Sequence, residues 1–500
     1  MQAIPRNPPP TRPAGHGQIL AALLLSALVQ QAPPAAAQAN RAEARALCGA
    51  GTEVPADRRL AGCEWLLRAP GEAPADLAWA LNRRGSLRVE AGDLPAALAD
   101  YDAALRHNPR DPAATFNRAT TLRDLRRQAE AEEAFGAAIA LDPRDAEAWR
   151  ERGDLRRLSG RHEAAEADYD AAIRIAPDDA LAVLHRGLSR RARGNLAGAR
   201  ADFDAAIRLD PRQPLAWNNR GVTRAETRDL RGAIADYDEA LRLDPAYASP
   251  AFNRGNAWRA LGEPRRAIED YTLAIRLAPE AAAPRLNRGV TRVNTGDLAG
   301  AEADFSDAIR LSPGLAPAYL NRSDVRLLRR NLDGAAADAD EAVRLRPAHA
   351  ESRIARAALR LARNDPAAAL GDLTEALRLS PGNADALAFD RIARSRARQA
   401  DARAACDRAA QAAPDGFAMA HLARAGVALL AGDAAAAAAD IAEALRREPN
   451  SAAPMYLRAV AAARQNRAAA AQRDPTAART RDRRVDDQIT DLFGAALRLP

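Results

Sequence analysis

From residue 78 to residue 383 the hydrophobic and polar positions recur every 34 residues. Each period carries an apolar stripe at helical spacing, a turn, and a second apolar stripe, which predicts two antiparallel helices. We number each period from its own position 1, the first at residue 78. Position 8 is then small in all nine periods: Gly85, Ala119, Gly153, Gly187, Gly221, Gly255, Gly289, Ser323 and Ala357. Position 20 is Ala throughout, from Ala97 to Ala369, and position 27 is again Ala, as at Ala104, Ala240 and Ala376. Position 24 is a ring from Tyr101 to Phe305, then Ala339 and Leu373. Small residues at 8, 20 and 27 let helices approach closely, and the ring fills the space they leave. Pro at position 32, from Pro109 to Pro381, ends the second helix because it cannot donate to the helical ladder. Gly-Asp pairs such as Gly92-Asp93 and Gly296-Asp297 turn the chain and cap the second helix. A helix pair of this kind buries its apolar face only by stacking on its neighbours. The expected fold is therefore an all-α solenoid and not a string of globular domains.

This register resembles the tetratricopeptide repeat family over residues 78–383, nine repeats without a gap. A degenerate repeat, 384–417, and a better one, 418–451, follow. The resemblance implies a right-handed superhelical solenoid of stacked helix-turn-helix repeats. It also implies a concave face lined by the first helices at positions 2, 5, 6 and 9, and a non-catalytic role in binding other proteins. One position departs from the family pattern: position 7, usually Leu there, is Arg in every one of the nine, from Arg84 to Arg356. A cation against a helix seam needs a partner, since a buried charge that loses its counterion costs about 3–5 kcal/mol. Position 23 supplies one. It is Asp in eight of the nine repeats and fails only at Ala134, beside Glu133. The expected arrangement is a ladder of pairs within repeats, such as Arg220 with Asp236, Arg254 with Asp270, and Arg288 with Asp304. Many repeats add Arg at position 11, as at Arg224 and Arg292, which increases the need for a local acid. The competing reading is a basic groove for an acidic ligand.

Contact residues are expected on the first helices. Position 6 is Asn at Asn117, Asn219, Asn253, Asn287 and Asn321, and an amide both donates to and accepts from a peptide backbone. Position 5 is apolar at Phe252, Leu286 and Leu320, among others, which would supply shallow pockets. Packing between repeats is the alternative role for both columns. The carboxylate clamp of some relatives is absent: position 5 is basic only at Arg150, whose neighbour at position 9 is Asp154.

The formal charge is +7, all 73 basic residues are Arg, and 66 acids are interspersed with them. Mixed signs argue against a nucleic-acid footprint. Residues 1–39 have the form of a cleavable signal peptide. Arg6 and Arg12 precede an apolar core from Ile19 to Val29, too short to span a bilayer, and Ala37-Gln38-Ala39 is the expected cleavage site. A periplasmic or secreted location follows as an expectation, with no stable membrane insertion. Residues 40–77 read as an N-terminal helical cap whose Cys48 and Cys63 would pair in an oxidising compartment, adding about 3 kcal/mol by loop entropy. Cys406 reads as a core residue. The six His show no metal spacing, and there is no phosphate loop or nucleophile elbow, so no enzyme activity, metal or cofactor is expected. Residues 452–500 are expected to hold a closing helix, Met455 to Gln472, and then a mobile charged stretch, Arg473 to Asp487. Ile489, Leu492, Phe493, Ala496 and Leu497 have helical spacing, for a helix that folds back or docks a partner. The function expected is a scaffold for extended protein segments in the bacterial envelope. The alternative is an envelope polysaccharide or peptidoglycan assembly factor that holds a glycan or a biosynthetic enzyme.

Overall fold

The computed structural model describes residues 34–397, 418–465, 468–482, 485–493 and 497. The leader's charged and apolar segments and Cys406 lie outside them. Twenty-six α-helices and no strands are present among the described residues. Most are joined by short turns into helix-turn-helix pairs, and within each of the two compact units successive pairs stack, which makes the fold an all-α solenoid. By contact the chain divides into two compact units, Met1–Thr223 and Arg224–Pro500.

In the first compact unit, the helices Pro34–Gly49 and Ala56–Arg68 form a pair closed by the disulfide Cys48–Cys63. The helix Pro34–Gly49 begins before Ala39, so cleavage after Ala39 would remove its first six residues. Four regular pairs follow, from Pro74–Glu90 with Leu94–His107 to Ala180–Ala192 with Leu196–Leu209. The small-plus-ring code explains their packing. A Cβ added at Gly85 would lie 2.6 Å from the Tyr101 ring, and one at Gly187 would lie 2.8 Å from Phe203. Tyr101, Phe135, Tyr169 and Phe203 are all 2% exposed or less, as are the Ala residues at positions 20 and 27 around them. Between the helices the chain takes the left-handed conformation at Gly92, Gly160 and Gly194, and also at Arg126 (φ 62°), where a Cβ makes it costly. The cap residue then accepts from the new helix, as Asp93 does from the Ala96 N–H at 3.1 Å.

In the second compact unit the same code runs from Leu230–Leu243 to Pro366–Leu379, with Tyr237, Tyr271 and Phe305 buried. At Ser323 the code changes. The ring of position 24 is replaced by Ala339, and the Ser323 hydroxyl donates to the Ala335 carbonyl at 2.9 Å. After the helix Ala384–Arg396 come two further complete pairs, Ala418–Leu430 with Ala434–Arg447 and Ala452–Arg464 with Ala468–Arg481.

The last pair corrects the expectation for the tail. The closing helix ends at Arg464, and the stretch expected to be mobile is mostly ordered: residues 468–481 form a helix whose Asp474 pairs with Arg458 at 2.6 Å. Arg458 and Asp474 are 16 residues apart, the spacing of positions 7 and 23, so this pair is one more repeat. A final helix, Val485–Phe493, folds back on the first helices of the preceding pairs.

Candidate functional site

Most position-7 arginines are held from both sides. Within a repeat, those facing an Asp at position 23 in their own compact unit make a two-pronged bond to it: Arg254 Nε and Nη2 lie 2.8 and 2.6 Å from Asp270, and Arg288 the same atoms 3.0 and 2.6 Å from Asp304. Arg84, Arg152, Arg186, Arg322 and Arg356 repeat this geometry. The Arg of position 11 bonds the same carboxylate, at 2.8 Å for Arg292 with Asp304 and 2.9 Å for Arg224 with Asp236. Arg220 and Asp236 belong to different compact units; within its own unit Arg220 bonds Asp204 at 2.7 Å.

A second connection was not foreseen. The remaining guanidinium nitrogen reaches position 25 of the preceding repeat: Arg186 to Asp170 at 2.7 Å, Arg254 to Asp238 at 2.5 Å, and Arg288 to the Thr272 hydroxyl at 2.9 Å. Each such Arg therefore links two repeats as well as two helices. Arg118, opposite Ala134, bonds Asp102 of the preceding repeat at 2.6 Å. Hydrogen bonds that Arg254 donates to Asp270 and Asp238 push its guanidinium above its ordinary value, the bond to Asp270 contributing most. Further ties join neighbouring repeats through position 21. Glu132 bonds Arg156 at 3.0 Å and also Arg161, and Glu302 bonds Arg326 at 2.9 Å and also Arg329. The Arg of position 7 is thus not a basic wall facing solvent: the Arg254 and Arg288 side chains are 20% and 15% exposed, in contact with their acids. The sequence did hold a signal for position 25, since it is Asp in five repeats and Thr or Ser in three others, and Gly only at Gly136.

The first-helix face differs along the chain. In the first compact unit its charges satisfy one another. Arg150 bonds Asp179 at 3.1 Å, and Asp154 accepts the Tyr169 hydroxyl at 2.7 Å with His185 Nδ1 also 2.7 Å away. Asn117 donates to Asn82 at 2.9 Å. Asn219 is only 6% exposed and donates to the carbonyl of Leu215 at 2.8 Å, which makes it a buried packing residue and not an open contact.

In the second compact unit, Phe252, Leu286 and Leu320 are half-buried and recur one repeat apart beside Asn253, Asn287 and Asn321. Phe252 rests on Tyr271 with ring centroids 6.0 Å apart, and Leu286 packs on the cluster around Phe305. Asn287 donates to Asn256 at 2.8 Å, and Asn256 also accepts the Tyr271 hydroxyl at 2.8 Å. Asn321 donates to the carbonyl of Pro317 at 2.7 Å. An amide has two N–H groups and two acceptor lone pairs, so one internal bond does not exhaust it. Asp324, on the same helix as Asn321, is exposed. The column thus takes part in packing within and between repeats and stays partly exposed.

From residue 350 the same positions lose their amides. Ile354, Ala355 and Ala358 are followed by Ala388, Phe389 and Ile392, by Leu422, Ala423 and Gly426, then by Tyr456, Leu457 and Val460. The helix Val485–Phe493 lies on this apolar stretch and touches the four first helices Ala350–Ala362, Ala384–Arg396, Ala418–Leu430 and Ala452–Arg464. Val485, Ile489, Phe493 and Leu497 are each 2% exposed or less within the shared core.

Among the described residues, no group of three or more His, Cys, Asp or Glu is placed to hold a metal ion, and no helix is long and apolar enough to cross a membrane.

The tetratricopeptide repeat profile matches residues 82–135, 117–180, 184–248 and 252–316. Among curated proteins no significant match is found. Among solved structures, a tetratricopeptide repeat protein from Parabacteroides merdae aligns at 20% identity over 50% of this chain and 98% of its own, with a TM-score of 0.41. YrrB, described as a tetratricopeptide repeat protein with an unusual peptide-binding site, aligns at 22% identity over 37% of this chain and 95% of its own, with a TM-score of 0.33. PilF of Pseudomonas aeruginosa aligns at 18% identity over 43% and 97%, with a TM-score of 0.39. The profile segments lie on stacked helix pairs that carry the small-plus-ring code, so over those segments the chain is similar to the tetratricopeptide repeat family.

Proposed function

We propose that the chain is a non-enzymatic scaffold that binds extended segments of other proteins on the first-helix face of residues 248–328, in the bacterial cell envelope. The observation that carries this reading is the recurrence of Phe252, Leu286 and Leu320 beside Asn253, Asn287 and Asn321 at steps of 34 residues. Shallow apolar sites alternating with amides suit a peptide whose backbone is held and whose side chains are read loosely. Export by the N-terminal leader is part of the proposal, and the Cys48–Cys63 bridge supports an oxidising compartment. The polysaccharide or peptidoglycan assembly role remains the second reading.

The test is affinity capture from envelope extracts with wild type and a Phe252→Ala, Asn287→Ala, Leu320→Ala variant whose helical circular dichroism matches wild type. Proteins captured by the wild type and lost from the variant are the expected result. Identical captured proteins would refute the contact assignment, and glycan captured without protein would favour the second reading.

A further inference from the structure

We propose that the first-helix face of residues 350–464 is a second binding groove, specific for an amphipathic helix, and that the helix Val485–Phe493 is its built-in, displaceable occupant. A helix that merely closed a solenoid would stack on the last pair. This one touches both helices of the last pair and also reaches the three preceding first helices, back to Ala350–Ala362, the elements whose equivalents upstream form the proposed peptide face.

The match is two-sided and is written in the sequence of both partners. On the groove, the amide column stops at Asn321 and gives way to Ala355, Phe389 and Ala423, so these positions become apolar where the helix lies. Gly426 occupies position 9 of its repeat, and Phe493 fills the socket its missing side chain leaves: a Cβ built there would fall 2.1 Å from the Phe493 ring. On the occupant, apolar residues recur every fourth position at Val485, Ile489 and Phe493 of the helix, and the spacing continues in the sequence to the buried Leu497. Its first turn is acidic, and Asp486 accepts the Tyr456 hydroxyl at 2.7 Å while pairing with Arg479 at 2.7 Å. An acid at a helix N-terminus also suits the helix dipole.

The partner recognised would therefore be an amphipathic helix with apolar residues at four-residue spacing and an acidic first turn. In its absence the chain covers its own groove, and an incoming helix competes with a tethered one at high effective concentration. The proposal concerns residues 350–464 alone, so it stands or falls separately from the peptide face at 248–328.

The probe is a fluorescein-labelled peptide of residues 482–500, added to the full chain. Wild type should bind it weakly. An Ile489→Asp, Phe493→Asp chain, with its own helix released, should bind it at least tenfold more tightly while keeping its remaining helical circular dichroism. Peptide carrying Phe493→Ala should bind the released chain roughly a hundredfold less tightly. Adding Gly426→Leu to the released chain should abolish binding by filling the socket. Hydrogen exchange supplies a second readout: in a Gly426→Leu chain, amides of 485–493 should lose protection while those of 282–311 keep theirs. No binding to the released chain, equal binding to released and wild-type chains, or collapse of the 350–464 helices on release would each overturn the proposal, since the helix would then be a fixed part of the core.

Discussion

Replacing Asp304 by Asn tests whether the ladder holds the repeats together. The substitution preserves shape and removes the charge. Asp304 is 2% exposed and accepts three bonds, from Arg288 Nε and Nη2 at 3.0 and 2.6 Å and from Arg292 Nη1 at 2.8 Å. Breaking a buried pair costs about 3–5 kcal/mol because a charge is left uncompensated. Two features of the structure favour the lower end. The Arg288 and Arg292 side chains keep 15% and 24% of their exposure, and each retains another acceptor, Thr272 Oγ1 at 2.9 Å and the Gly300 carbonyl at 3.1 Å. The expected loss is about 3 kcal/mol. Long repeat arrays do not unfold as one cooperative unit, so a single denaturation midpoint would blur a local effect. Amide hydrogen exchange followed by mass spectrometry resolves it. Peptides from Ala282–Asn294 and Leu298–Leu311 should exchange roughly a hundredfold faster, while those from Ala146–Leu158 stay unchanged. Acceleration of less than about threefold, equivalent to about 0.7 kcal/mol, would show that the ladder is neutral decoration, and the argument from buried charge would be wrong.

Further outcomes follow from the same contacts. Gly136 stands where other repeats place Asp, Thr or Ser, and a Cβ there would lie 3.6 Å from Arg152 Nη1; Gly136→Asp should supply the missing link and also remove a helix-interior Gly, slowing local exchange by about 1 kcal/mol, and no gain would discount the tie between repeats. Arg126→Gly should stabilise its turn by about 0.5–1 kcal/mol, because φ is 62° there and Gly carries no Cβ penalty; a loss of protection in 112–141 would contradict this. Hydrogen bonds chiefly from Arg161 and from Arg326 hold the carboxyls of Glu132 and Glu302 below the ordinary value. A folded value below the unfolded one contributes stability that is fully present above pH of about 4.5 and is lost as pH falls through the folded value. Thermal melts of a Glu132→Gln, Glu302→Gln chain should therefore be lower than wild type near neutrality, with the difference shrinking below pH of about 4; a difference independent of pH would exclude the charge as its cause.

Much of this could be read before any coordinates, because a repeat states its rules many times. Gly289 and Phe305 illustrate this: one such couple is ambiguous, but the same couple at a fixed spacing in successive repeats specifies a close contact. The Arg of position 7 and the Asp of position 23 were legible for the same reason. The link to position 25 was harder to see, since Asp238, Thr272 and Ser306 share an acceptor oxygen and not a residue type. The repeat at Ala452–Arg481 was hidden by Pro475 inside its second helix and by the lack of a ring, although Arg458 and Asp474 kept the spacing. Asn219 looked like its equivalents Asn253, Asn287 and Asn321, but neighbours in space decide exposure, and sequence gives only the position.

The sequence by itself determined the helix pairs, their stacking, and the pairing of Arg with Asp, because those depend on spacings within one or two repeats. Only the tertiary structure decided where the last helix goes. Val485, Ile489, Phe493 and Leu497 carry an apolar stripe that any apolar surface would accept. What selects the first helices of 350–464 is a socket at Gly426 and an apolar core that includes Ile354 and Ala423, assembled from segments far apart in the chain and in contact only once it has folded.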